Sequence, residues 1–197
     1  MLLTAGNVFY FDWEINVLNW FQSLHSPAAD AFWGFITKFG DGGIFWMVLT
    51  LVVLIFCKDK RVGWTMFGAL VIDVLLCNII LKNAVQRSRP FWIFTDVPMV
   101  DGVSIPDDFS FPSGHSGASF AGAVAIFTRN KKWGIPAIVL AALVAISRLY
   151  LFIHFPTDVM VGILIGILGG VCSFFIVNAF YKDKDEKKFL PLFGQPF

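Results

Sequence analysis

The chain has 197 residues, of which 57% are hydrophobic and only 15% are charged. Soluble domains average about 45–50% apolar and about 25% charged residues, so this composition excludes an ordinary soluble domain and predicts an integral membrane protein with one domain's worth of chain. The formal net charge of +1 creates no field that would attract nucleic acid, and no nucleic-acid partner is expected.

The N-terminal segment, residues 1–41, is rich in aromatic residues but interrupted by polar ones. One predicted helix runs from Asp12 to Leu24, and a second begins at the Ser26-Pro27 cap and runs to Gly40. Neither is uniformly apolar over the roughly 20 residues that a membrane span requires. Both are therefore predicted to be amphipathic helices in the membrane interface. The first residues carry no basic cluster and are not expected to be a cleaved signal peptide.

Five membrane-spanning helices are predicted in residues 42–181, which form one domain, and residues 182–197 form a polar tail. The predicted spans are Gly42–Cys57, Val62–Lys82, Ser113–Thr128, Trp133–Tyr150 and Pro156–Tyr181. Small residues recur in the last span and predict a face that packs closely against another helix. These are Gly162, Gly166, Gly169 and Gly170. The expected fold is thus all-α: a polytopic membrane helical bundle of about five transmembrane helices, preceded by amphipathic interfacial helices.

Lysine and arginine cluster in the connections at one end of the predicted bundle. The clusters occupy residues 58–61, 129–132 and 182–188. Two predicted spans separate each cluster from the next, so all three fall on the same side of the membrane. Basic residues in short loops favour the cytoplasmic side. The sequence therefore predicts a multi-pass protein of the cytoplasmic membrane with a cytoplasmic tail, and it predicts that the opposite end of the bundle is extracytoplasmic.

The stretch from Ser147 to Asp158 places an arginine, a histidine and an aspartate between two apolar runs. Charged groups there carry a high desolvation cost, which is usually met by pairing them with each other or with a charged ligand. Pro156 suits the first turn of a new helix. Asp158 can then reach back to one ring nitrogen of His154 and leave the other nitrogen free as a nucleophile. A helix cap beside an interfacial histidine explains this stretch equally well.

The same count of spans places four sets of polar residues at the opposite end of the predicted bundle. The long loop between the second and third spans adds Arg89 to them. The sets are Lys82 at the end of the second span, Ser113, Gly114 and His115 at the start of the third, Ser147 and Arg148 at the end of the fourth, and His154 and Asp158 at the start of the fifth. Three cations, two histidines and two helix N-termini are typical of a phosphate site. A glycine at position 114 would let backbone N–H groups approach phosphate oxygens closely.

The motifs K-x6-R-P, P-S-G-H and S-R-x5-H-x3-D resemble the three-part signature of the type 2 phosphatidic acid phosphatase (PAP2) superfamily, in its membrane lipid phosphatase branch. Every signature position is matched: Lys82, Arg89, Pro90, Pro112, Ser113, Gly114, His115, Ser147, Arg148, His154 and Asp158. The resemblance covers about residues 42–181. The superfamily also includes soluble vanadium haloperoxidases, which lack this hydrophobic architecture.

The resemblance implies a mechanism that uses neither a metal nor another cofactor. His154 would attack phosphorus and form a phosphohistidine, Asp158 would orient it, and His115 would protonate the leaving oxygen and then activate water. Five groups would hold the equatorial phosphate oxygens: Lys82, Arg89, Ser113, Gly114 and Arg148. The sequence also lacks a carboxylate cluster of the kind that binds Mg²⁺ beside a phosphate.

Polar residues outside the signature have several interpretations. Asp107 and Asp108 are interpreted as a solvated loop pair rather than a metal site. Asp73, in mid-span, suits either a partner for a cation or, as favoured here, a hydrogen bond to a neighbouring helix. Arg87 suits either a substrate phosphate or lipid headgroups. Others are given no part in the chemistry: His25, Cys57, Cys77 and Cys172.

The predicted function is hydrolysis of a lipid phosphate or diphosphate at the outer face of the cytoplasmic membrane. Its predicted partners are that substrate and the membrane lipids, and oligomeric state is not predicted. Undecaprenyl diphosphate is preferred because the outward orientation matches where that carrier is released. Alternatives are phosphatidylglycerophosphate or phosphatidate, and transfer of the phosphoryl group to another lipid. A lipid or anion transporter would instead predict charged or broken segments at the bilayer midplane, where only Asp73 lies.

Overall fold

The computed structural model describes residues 6–193, with side chains described as far as Lys182. Within this range the chain is helical, apart from loops and one isolated bridge between Asn7 and Arg87. Its α-helices are α1 (Asp12–Gln22), α2 (Pro27–Thr37), α3 (Ile44–Phe56), α4 (Lys60–Asp73), α5 (Lys82–Val85), α6 (Pro90–Ile93), α7 (Gly114–Arg129), α8 (Lys131–Tyr150) and α9 (Pro156–Phe193). The signal-peptide prediction at residues 1–5 and the end of the predicted tail, residues 194–197, lie outside the described residues.

The predicted all-α membrane bundle is confirmed. Four helical stretches of the described chain are long and apolar enough to cross a membrane: Pro27–Phe56, Lys60–Val85, Lys131–Tyr150 and Pro156–Lys182. The remaining helix of the bundle, α7, has only 16 residues and lies at its centre, in contact with α3, α4, α8 and α9. Apart from Gly114 at its start, its alanines and glycines are buried, because small side chains let four neighbouring helices approach.

The connection between α2 and α3 is longer than the sequence predicts. The predicted second helix extends to Gly40, whereas α2 ends at Thr37 and a 3₁₀ turn, Lys38–Gly43, leads directly into α3. Gly42 and Gly43 have φ values of +54° and +67°, which glycine adopts without the steric cost that a side chain would add. The chain therefore bends sharply here. The predicted Ser26 cap of α2 is present, and the interfacial position of α1 and α2 stays a prediction.

Helix α1 turns its tryptophans away from the protein and a carboxylate toward it. Trp13 and Trp20 are largely exposed, whereas Glu14 and Leu18 are completely buried. Leu18 packs on Phe152 in the loop after α8. The exposed tryptophans suit the predicted lipid contact. The opposite face of α1 docks on the protein and buries the carboxylate of Glu14.

Helix α4 continues through a π-helical segment, Val74–Leu81, into the short helix α5. A π-helical segment widens the turn, and such segments are frequent at functional sites. Asn78, within it, and Lys82, directly after it, both line the cavity described below. The end of the predicted second span therefore places Lys82 in the lining of that cavity.

Helices α7 and α9 are in near-backbone contact, as the glycine series of the last span predicts. A Cβ atom on Gly162 would lie 2.5 Å from the carbonyl oxygen of Ser113, and one on Gly170 would lie 2.8 Å from Val124 Cγ1. The backbone N–H of Ser113 also donates to the carbonyl of Asp158, at 3.0 Å. The first turns of α7 and α9 are therefore held side by side.

The basic connections meet at one end of the bundle. Arg129, at the end of α7, donates to Thr65 of α4 and Asn178 of α9 at 3.2 and 2.7 Å, and the Arg61 guanidinium lies 5.7 Å from the ring centre of Tyr181. The signature residues gather at the opposite end. The predicted separation of basic connections and signature residues is therefore present in the fold.

Candidate active site

His154 and Asp158 form a pair at the start of α9. The Asp158 Oδ2 atom lies 3.5 Å from His154 Nδ1 and accepts the backbone N–H of Phe155 at 2.9 Å. The hydroxyl of Ser110, a buried residue that follows Asp107 and Asp108 on the long loop, donates to the same oxygen at 2.5 Å. A guanidinium can only donate, and Arg89 Nη1 contacts Nε2, so Nε2 keeps its lone pair and Nδ1 carries the proton of the neutral ring.

The free Nε2 atom of His154 faces a cation. Arg89 Nη1 lies 3.1 Å from Nε2, and both side chains are buried. Burial, followed by the charges of Arg89, Arg148 and Lys82, holds the pKa of His154 well below its ordinary value of 6.5. The ring is therefore neutral at physiological pH and suited to act as a nucleophile.

Lys82 and Arg89 share one carboxylate, that of Asp108. Lys82 Nζ contacts Oδ2 and Arg89 Nη2 contacts Oδ1, while Arg89 Nε donates to the backbone carbonyl of Asp108 at 2.6 Å. Burial alone would raise the pKa of Asp108, but Arg89 and Lys82 lower it to about 2. The interpretation of Asp108 as a merely solvated loop residue is therefore wrong, since it binds two of the predicted phosphate-binding cations.

Arg148 completes the cation cluster from the last turn of α8. It is buried and donates through Nη1 to the hydroxyl of Thr37, at the end of α2. Its Nε atom has no hydrogen-bond partner among the described residues. An unpaired buried donor on a cavity wall is suited to an anionic ligand. Ser147, its neighbour in the signature, donates back to the Val144 carbonyl at 2.6 Å within α8.

His115 lies in the first turn of α7 and is paired with Asp41. Its Nε2 atom is 2.9 Å from Asp41 Oδ1, at the bend between α2 and α3. Gly40 makes room for the ring, because a Cβ there would lie 2.6 Å from His115 Cδ2. Each histidine of the site therefore has its own aspartate, and Asp41 is a partner that no sequence motif indicates.

The other two predicted phosphate ligands are placed differently from each other. Gly114 lines the cavity, where a Cβ would lie 2.9 Å from Asn78 Oδ1. The Ser113 hydroxyl is completely buried and caps α7, accepting from the Ser116 hydroxyl at 3.0 Å. Ser113 as a direct phosphate ligand stays a prediction.

A cavity of about 620 Å³ is lined by these groups and by apolar residues of the neighbouring helices. Its polar part is lined by Lys82, Arg89, Asp108, His115, Arg148 and His154. Its apolar part is lined by residues of α3, of α4 and of the π-helical segment that follows α4: Met47, Leu51, Phe67, Leu70, Val71, Val74 and Leu75. Most of these apolar residues are also surface-exposed. The cavity is therefore open between α3 and α4 and suits a ligand with an anionic head and an apolar tail.

Arg87 contacts neither the cavity lining nor the surface. Its side chain is buried and bonds to Asp158 Oδ1 and Glu14 Oε2 at 2.6 and 2.7 Å. Both sequence interpretations of Arg87, a substrate phosphate and lipid headgroups, are therefore wrong. The burial of its guanidinium depends on residues far away along the chain, which a local pattern does not reveal.

Asp73 is completely buried where α4 meets Gly117 of α7. Neither of its carboxyl oxygens has a hydrogen-bond partner among the residues that the structure describes. The predicted hydrogen bond to a neighbouring helix is therefore not formed. Asn78, further along the same helical run, faces Gly114.

Four residues of this site were missed by sequence reasoning: Glu14, Asp41, Ser110 and Asp108. Ser110 lies only three residues before Ser113, so its position beside the P-S-G-H motif was an available signal. The others lie outside the motifs. No group of three or more His, Cys, Asp or Glu residues that could hold a metal ion is present in the described part of the chain.

A model of the PAP2 superfamily matches residues 62–182, more than half of the chain. The undecaprenyl-diphosphatase of Sulfolobus acidocaldarius is 33% identical over 133 residues, which are 67% of this chain and 63% of that protein. The lipid A 4'-phosphatase of Bacteroides thetaiotaomicron is 30% identical over 185 residues, which are 86% of this chain and 79% of that protein.

Among solved structures, the transmembrane PAP2-type phosphatidylglycerolphosphate phosphatase from Bacillus subtilis resembles this fold with a TM-score of 0.65. The two sequences are 28% identical, and the likeness covers 87% of this chain and 85% of that chain. The chain spans slightly less than two thirds of the Sulfolobus protein but most of the other two. The range that the superfamily model matches contains all three motifs.

Proposed function

Because the chain belongs to the PAP2 superfamily, in its membrane lipid phosphatase branch, we propose that it hydrolyses a lipid phosphate or diphosphate through a phosphohistidine intermediate. The observation that carries the proposal is the cavity, which has cations and two histidines at one end and an open apolar flank at the other. A lipid with a phosphate head matches both ends.

In the first step, His154 Nε2 attacks phosphorus. The N–P bond forms as the P–O bond to the lipid breaks, and the leaving oxygen takes a proton from His115. Asp158 holds Nδ1 and stabilises the positive charge that develops on the ring. The arrangement of the His154 ring, with Nδ1 toward Asp158 and Nε2 toward Arg89, supports this assignment.

In the second step, water hydrolyses the phosphohistidine. His115, now neutral, accepts a proton from water as the water oxygen bonds to phosphorus, and the electron pair of the N–P bond returns to Nε2. Inorganic phosphate is released, and His115 is protonated again for the next cycle. Lys82, Arg89 and Arg148 stabilise the phosphoryl oxygens in both steps, so their positive charge takes the place of a metal ion.

Undecaprenyl diphosphate is the substrate that we propose. The Sulfolobus relative is named for that activity, and the predicted orientation puts the site at the extracytoplasmic face of the cytoplasmic membrane. In this reaction the terminal phosphate would occupy the cation cluster, and the leaving group would be the lipid monophosphate. Phosphatidylglycerophosphate is the second candidate, because the likeness to the Bacillus subtilis phosphatase extends over most of both chains.

The test is an assay of the purified protein against four lipids: undecaprenyl diphosphate, phosphatidylglycerophosphate, phosphatidate and lipid A. Released inorganic phosphate is measured in EDTA, and a parallel assay with added acceptor lipids measures phosphoryl transfer. We expect the highest kcat/KM for undecaprenyl diphosphate and a loss of at least about 10³-fold in His154→Ala. Turnover of His154→Ala within about ten-fold of wild type would exclude it as a covalent nucleophile. Activity that needs Mg²⁺ would overturn the assigned roles of the cations.

A further inference from the structure

The carboxylate of Glu14 is buried on α1 and uses both oxygens. Oε1 accepts the backbone N–H and the hydroxyl of Thr157 at 3.1 and 2.6 Å. Oε2 accepts Arg87 Nη2 at 2.7 Å and the backbone N–H of Phe11 at 2.9 Å. A buried carboxylate with four donors is fully satisfied, and replacing either oxygen with an NH₂ group would leave two of those donors without an acceptor.

Arg87 carries this contact onward to the proposed catalytic pair. Its Nη1 donates to Thr157 Oγ1 and Asp158 Oδ1 at 2.7 and 2.6 Å, and its guanidinium lies 4.0 Å from the ring centre of Phe155. Arg87 binds Oδ1 of Asp158, whereas Oδ2 faces His154. The side of Asp158 that points away from the nucleophile is therefore fixed by a planar cation, and the cation is itself fixed by Glu14.

We propose that Glu14 and Arg87 are positioning residues, which hold Asp158 so that it aligns His154 for attack on phosphorus. This inference rests on the proposed phosphohistidine chemistry. Neither residue lines the cavity, so neither touches the substrate. Their effect passes through the angle and the charge of Asp158, and a displacement of about 1 Å at a reacting group can cost about 100-fold in rate.

Glu14 also governs how much of the Arg87 charge reaches Asp158. Two carboxylates share one guanidinium, so Asp158 keeps negative charge with which to stabilise the imidazolium of the phosphohistidine. Without Glu14, Arg87 would be left to Asp158 alone and would neutralise it more fully. Helix α1, far from the three motifs in sequence, thereby becomes part of the catalytic apparatus.

The experiment compares Glu14→Gln, Arg87→Lys and Thr157→Val with a matched control. In Glu14→Gln, whichever way the amide turns, its NH₂ group meets donors that need an acceptor. In Arg87→Lys the charge stays but the fork that reaches Glu14 and Asp158 is lost. Thr157→Val removes one hydroxyl and keeps the side-chain shape. The control is Asp12→Asn, which removes an exposed acidic group from the first turn of the same helix.

Three quantities are measured for each variant: kcat, and the inhibition constants of inorganic phosphate and of vanadate. Phosphate binding depends on the cation cluster, whereas vanadate bonds to an aligned Nε2 as a pentavalent mimic. For Glu14→Gln and Arg87→Lys we expect kcat to fall about 10- to 100-fold and vanadate inhibition to weaken about ten-fold, with phosphate inhibition within about three-fold of wild type. Thr157→Val should change in the same direction but less, and Asp12→Asn should match wild type.

The split between the two inhibitors distinguishes positioning from a structural role. Partial unfolding lowers the amount of active enzyme and leaves both inhibition constants unchanged. If vanadate and phosphate inhibition keep their wild-type ratio in every Glu14, Arg87 and Thr157 variant that folds, the inference is wrong. If Glu14→Gln and Arg87→Lys do not fold, the inhibition constants of Thr157→Val still test the inference. Failure of wild type to hydrolyse any lipid phosphate would instead refute the proposed function.

Discussion

His154 is placed where its surroundings favour the uncharged ring. Burial and three nearby cations, Arg89, Arg148 and Lys82, hold its pKa well below 6.5. The lowered pKa favours the neutral form, so the nucleophile persists as the pH falls below 6.5 and is lost only when the pH falls through the lowered value.

We therefore expect the acid limb of the pH profile of kcat/KM to lie well below pH 6.5. A substrate phosphate itself titrates near pH 6, so the profile should be repeated with a phosphorothioate substrate, whose own ionisation occurs at lower pH. A limb that moves with the substrate belongs to the substrate. An acid limb at or above pH 6.5 that is common to both substrates would show that the ring is not shielded in this way.

Asp108 competes for the cations that the proposed substrate needs. Replacing it with asparagine removes the negative charge that Lys82 and Arg89 now share. In Asp108→Asn we expect inorganic phosphate to inhibit more strongly, with its inhibition constant lowered about three- to ten-fold. Asp107→Asn is the control, because the ion pairs of Lys82 and Arg89 in the described structure are made by Asp108 and not by its neighbour. Weaker inhibition in Asp108→Asn would mean that Asp108 instead arranges Arg89 for phosphate.

The position of the signature residues in the bundle could be predicted from the sequence, whereas most of their partners, apart from Asp158, could not. Lys82, Arg89, Arg148 and His154 line one cavity, because they lie at the same end of the bundle, as the order of the predicted spans indicates. Glu14, however, meets Arg87 across 73 positions of the chain. Such contacts depend on how an N-terminal helix docks, and neither spacing nor hydropathy encodes that.

At the scale of helices, the contact between α7 and α9 controls the distance between the two histidines. Each of these helices begins at one half of the site, at His115 and just after His154. The absence of a side chain at Gly162 allows the Ser113 carbonyl to approach α9. A larger residue there would push the first turns apart.

We expect Gly162→Ala to lower stability by about 1–3 kcal/mol and to reduce kcat in the fraction that remains folded. The matched control is Gly34→Ala in α2, where the added Cβ would meet only Val103 at an ordinary 3.6 Å. That variant should be neutral or more stable by up to about 1 kcal/mol. Thermal unfolding and phosphate release are measured for both. Equal effects of the two substitutions would contradict a special role for the contact.

The docked face of α1 shows why element patterns leave tertiary packing open. Its aromatic residues predict an amphipathic helix, and the tryptophans are indeed exposed. Glu14 faces inward because its carboxylate bonds to Arg87 and Thr157, which lie far away along the chain. The geometry of the bend before α3 could not be predicted either, because it depends on the positive φ values of two successive glycines.

At the scale of the whole molecule, the basic connections and the candidate site lie at opposite ends of the bundle. The positive-inside tendency therefore predicts that the site lies outside the cell. In a background without Cys57, Cys77 and Cys172, we expect Asp101→Cys to react with an impermeant maleimide in intact cells. Lys58→Cys should react only after lysis. The reverse labelling pattern would put the site in the cytoplasm and remove the main reason to prefer undecaprenyl diphosphate.

The open flank of the cavity would determine how the proposed lipid substrate reaches the site. Met47 and Leu51 of α3, with Phe67 and Val71 of α4, line the cavity and are 41–57% exposed on the lipid-facing side. A lipid entering between these helices can keep most of its chain in the leaflet while its head reaches His154. The encounter is then a two-dimensional search, and its rate follows the mole fraction of substrate in the membrane. Added inert lipid would slow turnover although the bulk substrate concentration stays the same.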